Sequence, residues 1–145
     1  MSYAIATSGA ATKAVIEPLI STAWTALGYS ADTVEWPNKF FTKPGNGPWI
    51  RVSYPDQSTS SFSWGGGTVL NGTIGILAIQ VFAPKGAGSA LLNAAADKFR
   101  ATFERKAFGT GIRFRDALGP SKIDDEKWAG VSLQLPYEFH EAITL

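Results

Sequence analysis

From Val131 to His140 the chain alternates with a period of two, Val131, Leu133, Leu135, Tyr137 and Phe139 against Ser132, Gln134, Pro136, Glu138 and His140. Successive side chains of a strand point to opposite faces, so this run specifies a strand with one buried and one wet side. Pro136 has no N–H to give a neighbouring strand, which predicts an edge position or a bulge. A second run, Ile74 to Phe82, is almost wholly apolar and is expected to be a strand covered on both sides at the centre of the sheet, ended by Pro84. Gly72 and Gly75 weaken the pleat there, as at a bulge or a close approach of another backbone.

Two segments carry the helical period instead. Val15, Ile16, Leu19, Ile20, Trp24 and Leu27 form one apolar stripe over Thr12 to Leu27, closed by Gly28, and Pro18 predicts that this helix starts late or bends. Leu91, Leu92, Ala95, Ala96, Phe99 and Phe103 form another, with Ser89 as its expected cap. Trp49 to Tyr54 alternates as a strand that Pro55 should stop. Gln57 to Ser63 is polar and serine-rich, and with Gly65, Gly66 and Gly67 it is expected to make a mobile or tight loop. Ile112 to Arg115 is a brief strand with Arg113 and Arg115 on its polar side, broken by Gly119-Pro120. With no repeat and no long linker, residues 1–145 are expected to form a single domain. The predicted architecture is an α+β sandwich of two layers, a mixed or antiparallel sheet with two main helices on one face.

The balance of charges narrows the function. Thirteen basic and 12 acidic side chains leave a net charge of +1, too little for a general electrostatic hold on nucleic acid or an anionic membrane. Charged residues are only 17% of the chain, against about 25% in a typical soluble domain. A surface that apolar favours self-association. The absence of cysteine excludes a disulfide framework, a thiolate metal site and a cysteine nucleophile. No signal peptide or membrane span is legible, so a soluble protein of the cytoplasm is expected.

Chemistry finds little foothold. His140, between Glu138 and Glu141, is the single histidine and reads as a surface side chain, since one imidazole without cysteine cannot assemble the usual zinc sets. Asp124, Asp125 and Glu126 lack the spacing and glycine of a calcium loop. Gly86-Ala87-Gly88 lacks the remainder of a phosphate-binding fingerprint. No enzyme, cofactor or metal is expected. Trp36, Trp49 and Trp128 read as core or rim packing, whereas Trp64 reads as a contact residue because a polar loop gives it no core to enter.

The combination of Trp36-Pro37-Asn38 with Phe40 and Phe41, Pro48-Trp49-Ile50-Arg51-Val52, Gly72-Thr73-Ile74-Gly75, and Gln80 through Gly88 leading into an alanine-rich helix resembles the tail terminator proteins of long-tailed bacteriophages, over about residues 12 to 106. The resemblance implies a virion subunit that forms a ring, commonly of six. Such a ring caps the tail tube, stops its polymerisation and presents a surface for head-tail joining. Its implied partners are further copies of itself, the tail tube protein and the head-tail connector or stopper, with DNA passing through the channel without sequence specificity. The expected place is the head-proximal end of the tail, and the host cytoplasm during assembly. Exposure arguments, not motif transfer, nominate Phe40, Phe41 and the tip Trp64, Gly65, Gly66 and Gly67 as contacts with neighbours, and place Arg113 and Arg115 toward the channel or an adjoining subunit. Within the same class the alternatives are a head-tail stopper or a tail tube subunit. In another class stands a small ligand-binding or hydrolytic domain, which would need a pocket with converging polar groups.

Overall fold

In chain order the computed structural model has α1 (Gly9–Ala26), β1 (Val34–Glu35), β2 (Trp49–Gly65), β3 (Thr68–Pro84), α2 (Ala90–Phe103), β4 (Ala107–Phe108), β5 (Ile112–Phe114), β6 (Leu118–Asp124) and β7 (Trp128–Thr144). It describes residues 9–65, 68–108 and 111–144, with side chains described over 12–55, 57–58, 72–108 and 111–140. The sheet has seven strands in the order β1-β2-β3-β7-β5-β4, and β6 pairs with β7 beside β5. Only β1 and β2 run parallel, so the sheet is mixed.

Both helices lie on one face. Ile16, Ile20 and Trp24 of α1 and Leu92, Phe99 and Phe103 of α2 form one buried cluster with Ile50 and Val52 of β2, Leu77, Ile79 and Val81 of β3, and Leu133, Leu135, Tyr137 and Phe139 of β7. The α+β two-layer sandwich is therefore as the periodicities predict. Trp24 shows how a polar atom is accommodated there, its indole N–H donating to Thr33 Oγ1 at 2.7 Å.

The prolines depart from expectation, each for a local reason. Pro18 lies within α1, whose first turns precede it, so this helix does not start late. Its missing N–H would have bonded Ala14, an exposed residue whose carbonyl can be met by water. Pro55 does not stop β2. Ser53 pairs with Ala78 and Asp56 with Ile76, so Tyr54 and Pro55 together oppose Leu77 in a bulge. Because β1 pairs only with Ile50 and Arg51, this part of β2 borders no strand on its outer side among the described residues. Pro136 sits on neither an edge nor a bulge: β7 pairs with β3 through 17 unbroken steps and has β5 and β6 on its other side. The Pro136 carbonyl accepts from Arg115 N–H at 2.9 Å. A residue's N–H and C=O point the same way in a strand, so the missing donor faces the junction between β5 and β6. Gly119-Pro120, expected to break the chain, lies inside β6, where the register shifts between Leu118 and Ser121.

The segment from Gln57 to Ser63 is likewise strand, not loop, and pairs with Gly75 through Val69. At about 3.3 Å per residue a 17-residue strand spans about 56 Å, whereas the 14 residues of α2 span about 21 Å. The strands β2, β3 and β7 are thus much longer than α2, and Gln57 to Ser63, in their distal arm, carries no alternating period. Ser89 stands at the start of α2 without a side-chain capping bond, its carbonyl accepting from Asn93 N–H at 3.0 Å.

Gly75 is explained by a ring instead of a backbone. A Cβ on it would lie 2.7 Å from both Cζ and Oη of Tyr137, the residue paired with it on β7. Gly75→Ala is expected to lower stability by about 1–3 kcal/mol in chemical denaturation. Gly45→Ala, with nothing within 4 Å of the added carbon, should stay within about 0.5 kcal/mol.

Candidate subunit-contact surface

The face of the sheet away from the helices is only partly covered. At its proximal end Trp49, Phe82 and Trp128 are buried together, with Phe41 and Ile123 packed against them. Trp49 stacks on Phe82 at 4.3 Å between centroids and meets Trp128 edge-on at 5.8 Å. Gly130 makes room, since a Cβ there would lie 2.9 Å from Phe82 Cδ1. The Lys43 ammonium and Arg51 guanidinium each sit 5.3 Å from the Trp49 ring, an arrangement favoured by the negative face of the indole. Arg51 also donates to Glu35 Oε2 at 2.8 Å, tying β1 to β2. These contacts pin the connection from Trp36 to Pro48 across the sheet.

That connection separates its two phenylalanines. Asn38 adopts a left-handed φ of 57°, and Phe40 projects wholly into solvent at 106% relative exposure. Phe41 turns back onto Trp49, its centroid 5.5 Å away, so its ring is engaged within the subunit. Beside Phe40 a cleft of about 550 Å³ is lined by Trp36, Arg51, Ser53 and Tyr54. Two of its polar groups are engaged within the subunit: Arg51 with Glu35, and the Tyr54 hydroxyl donating to Glu17 Oε2 at 3.3 Å. Burial, reinforced by Glu17, pushes the Tyr54 phenol far above its ordinary range, so it remains neutral. No described group of three His, Asp or Glu could hold a metal ion.

Arg113 and Arg115 are exposed while Ile112 and Phe114 are buried, as alternation predicts. Arg115 donates to Glu138 Oε2 at 2.7 Å, and this bond holds its guanidinium even more firmly charged. Arg113 pairs in register with the same Glu138. Nearby, Glu104 at the end of α2 accepts from the Ala117 backbone N–H at 2.8 Å and from Arg100 at 3.2 Å. The Ala117 N–H first, and then Arg100, hold its carboxyl below the usual range and anchor the entry to β6.

Trp64 and Gly65 lie in the last residues of β2, at the opposite end of the sheet from Trp49; the Trp64 side chain, Gly66 and Gly67 fall outside the described residues. Fifteen residues of strand, about 50 Å, part Trp49 from Trp64. The nominated residues thus occupy three places: the loop border with Phe40, the β5 border with the arginines, and the distal arm. Sequence reading missed two others. Ile74 is 50% and Leu118 54% exposed, and both lie on the helix-free face. The run Ile74 to Phe82 is accordingly covered on both sides only in its second half. The signal for Ile74 was available in its parity, since it shares a face with Ala78 and Phe82 but lies beyond the aromatic cluster.

A family profile described as phage tail terminator protein matches residues 11–137, a span that takes in most of α1 and every strand up to the middle of β7. The chain belongs to the phage tail terminator family. That makes it a component of the virion tail, and the family is a structural one. No curated protein sequence matches this terminator. A solved chain of 22% identity superposes with a TM-score of 0.66, covering 92% of this chain and 96% of its own, and shows the fold alone.

Removal of Trp49 and of Phe40 should separate packing from surface. Trp49→Ala is expected to cost about 3–5 kcal/mol of subunit stability by denaturant titration, and Phe40→Ala less than about 0.5. Because the folded-state pKa of Glu104 is depressed, its contribution to stability is present at neutral pH and lost as pH falls through the carboxylate range. The loss of stability on acidification should therefore be shallower in Glu104→Gln than in the parent, measured by thermal unfolding at successive pH values.

Proposed function

We propose that this terminator closes into a ring of identical subunits, six in number, seated on the last ring of the tail tube. The ring ends tube growth and offers its opposite face to the head-tail connector. The family match over residues 11–137 carries this reading. The fold supports it with two chemically unlike faces, one roofed by α1 and α2, the other partly bare. A ring complementary to the tube on one side only supplies no further docking site, so addition stops without any bond being made or broken. The distal arm supports docking: Gln57 to Gly65 has no strand on its outer edge among the described residues, and an open edge can accept a strand from a partner. The ring sits at the head-proximal end of the tail, is assembled in the host cytoplasm, and encloses a channel through which DNA passes without being read.

Adding the purified protein to growing tail tubes below one copy per tube subunit should give short tubes with one capped end in negative-stain micrographs, and restore head attachment to terminator-deficient tails. Unchanged tube lengths, or tubes built from this protein alone, would refute the reading.

A further inference from the structure

We propose that Asn46 is a site of spontaneous covalent change, in which its side-chain amide is lost and a carboxylate takes its place. The chain has two asparagines followed by glycine, Asn46-Gly47 and Asn71-Gly72, whereas Asn38 and Asn93 precede Lys39 and Ala94. Glycine in second place matters because the attacking group is the next residue's backbone nitrogen, and a missing Cβ leaves that nitrogen least hindered. The Gly47 nitrogen, giving up its proton, bonds to Asn46 Cγ to close a cyclic imide, and ammonia leaves with the side-chain nitrogen. Water then opens the ring at either carbonyl, leaving aspartate or its β-linked isomer. The change needs water alone and no partner, so it does not depend on ring closure.

The fold opens one pair to this reaction and locks the other. Asn46 is exposed in the connection between β1 and β2, in a bend outside every strand and helix. Among the described residues neither its side chain nor the Gly47 N–H has a hydrogen-bond partner, and a Cβ on Gly47 would meet nothing within 4 Å. No described contact opposes the rotation that brings the Gly47 nitrogen against Asn46 Cγ. Asn71 and Gly72 stand instead inside β3, where Asn71 pairs with Ser61 and Glu141, and Gly72 with Ser60 and His140. A strand between two others holds its backbone extended, at a ψ of about +135°, and its N–H groups in ladder bonds, which keeps the nitrogen away from Cγ. The charge balance gives the change at Asn46 its consequence. Thirteen basic against 12 acidic side chains leave +1, and one new carboxylate makes 13 against 13, or zero. The isoelectric point of about 8.0 then falls toward neutrality, the condition in which a protein associates and precipitates most readily.

Trypsin separates the two pairs for measurement. It cuts after Lys39, Arg51 and Lys85 and spares the Lys43–Pro44 bond, so Asn46 falls in the peptide of residues 40–51 and Asn71 in that of residues 52–85. The protein is held for days in mildly alkaline buffer, folded or unfolded in guanidinium chloride, and the peptides are then analysed by mass spectrometry. In the folded protein the Asn46 peptide should gain the mass difference between an amide and an acid and split into two chromatographic species, while the Asn71 peptide stays unchanged. In guanidinium chloride both peptides should convert at comparable rates. Isoelectric focusing of the folded protein should show a new band on the acidic side, lost in Asn46→Gln, whose longer side chain cyclises far more slowly. Asn46 is exposed, so this variant should match the parent in circular dichroism and thermal unfolding. Asn71 converting as fast as Asn46 in the folded protein, an acidic band that persists in Asn46→Gln, or an Asn46 peptide that keeps its amide in the folded protein would each overturn the assignment.

Discussion

The ladder between β3 and β7 is the constraint on which the remaining structure depends, for it runs from Thr68–Thr144 to Pro84–Trp128 without a change of register. A slip of one residue would turn Leu133, Leu135 and Tyr137 away from α1 and α2 and present Ser132, Gln134 and Pro136 to them. Burying apolar surface at about 25 cal/mol per Å² makes that exchange prohibitive, and so the position of every strand follows from this pair. β2 takes its register from the opposite edge of β3, and β5 and β6 share the opposite edge of β7 in succession. The ring of Tyr137 lying over Gly75 acts in the same sense, because only glycine at that step lets the two strands and the aromatic coexist.

With the register set, the two faces of the sheet acquire different fates. One is sealed by helices. The other is sealed only where Trp49, Phe82 and Trp128 gather, and the loop carrying Phe41 and Lys43 is clamped to them by stacking and by attraction of cations to the indole. Phe41 is pinned to Trp49, and Phe40, between it and the left-handed turn at Asn38, projects into solvent. The apolar side chains left bare follow from the limits of the aromatic cluster and of the helices. For a structural component of a tail, such surfaces belong to assembly more readily than to chemistry.

Much of this was legible. The span and buried stripe of α2, the alternation of β7, the central place of β3 and the burial of Trp49 all come from local periodicity, which burial enforces directly. The arm from Gln57 to Gly65 was not legible, because its residues carry no alternating period and it is defined by backbone pairing with β3. Nor were the prolines. Pro55 was read as a stop and Pro136 as the mark of an edge or a bulge, yet Pro55 is absorbed by a bulge at an open border and Pro136 by the junction of two partner strands. Of the nominated contacts, exposure was right for Phe40, Arg113 and Arg115, whereas Phe41 finds a partner in its own subunit. Ile74 and Leu118 escaped notice because one was hidden in a run that looked buried and the other next to a supposed break.

By itself the order of residues determined the fold class, the content of the core and the scarcity of groups able to do chemistry, since periodicity and composition act over a few neighbouring positions. Which apolar side chains stay bare, which proline is tolerated and which borders of the sheet lie level with one another depended on strands distant in sequence. Those were decided only when the β3–β7 pairing set the heights and faces of the strands around it.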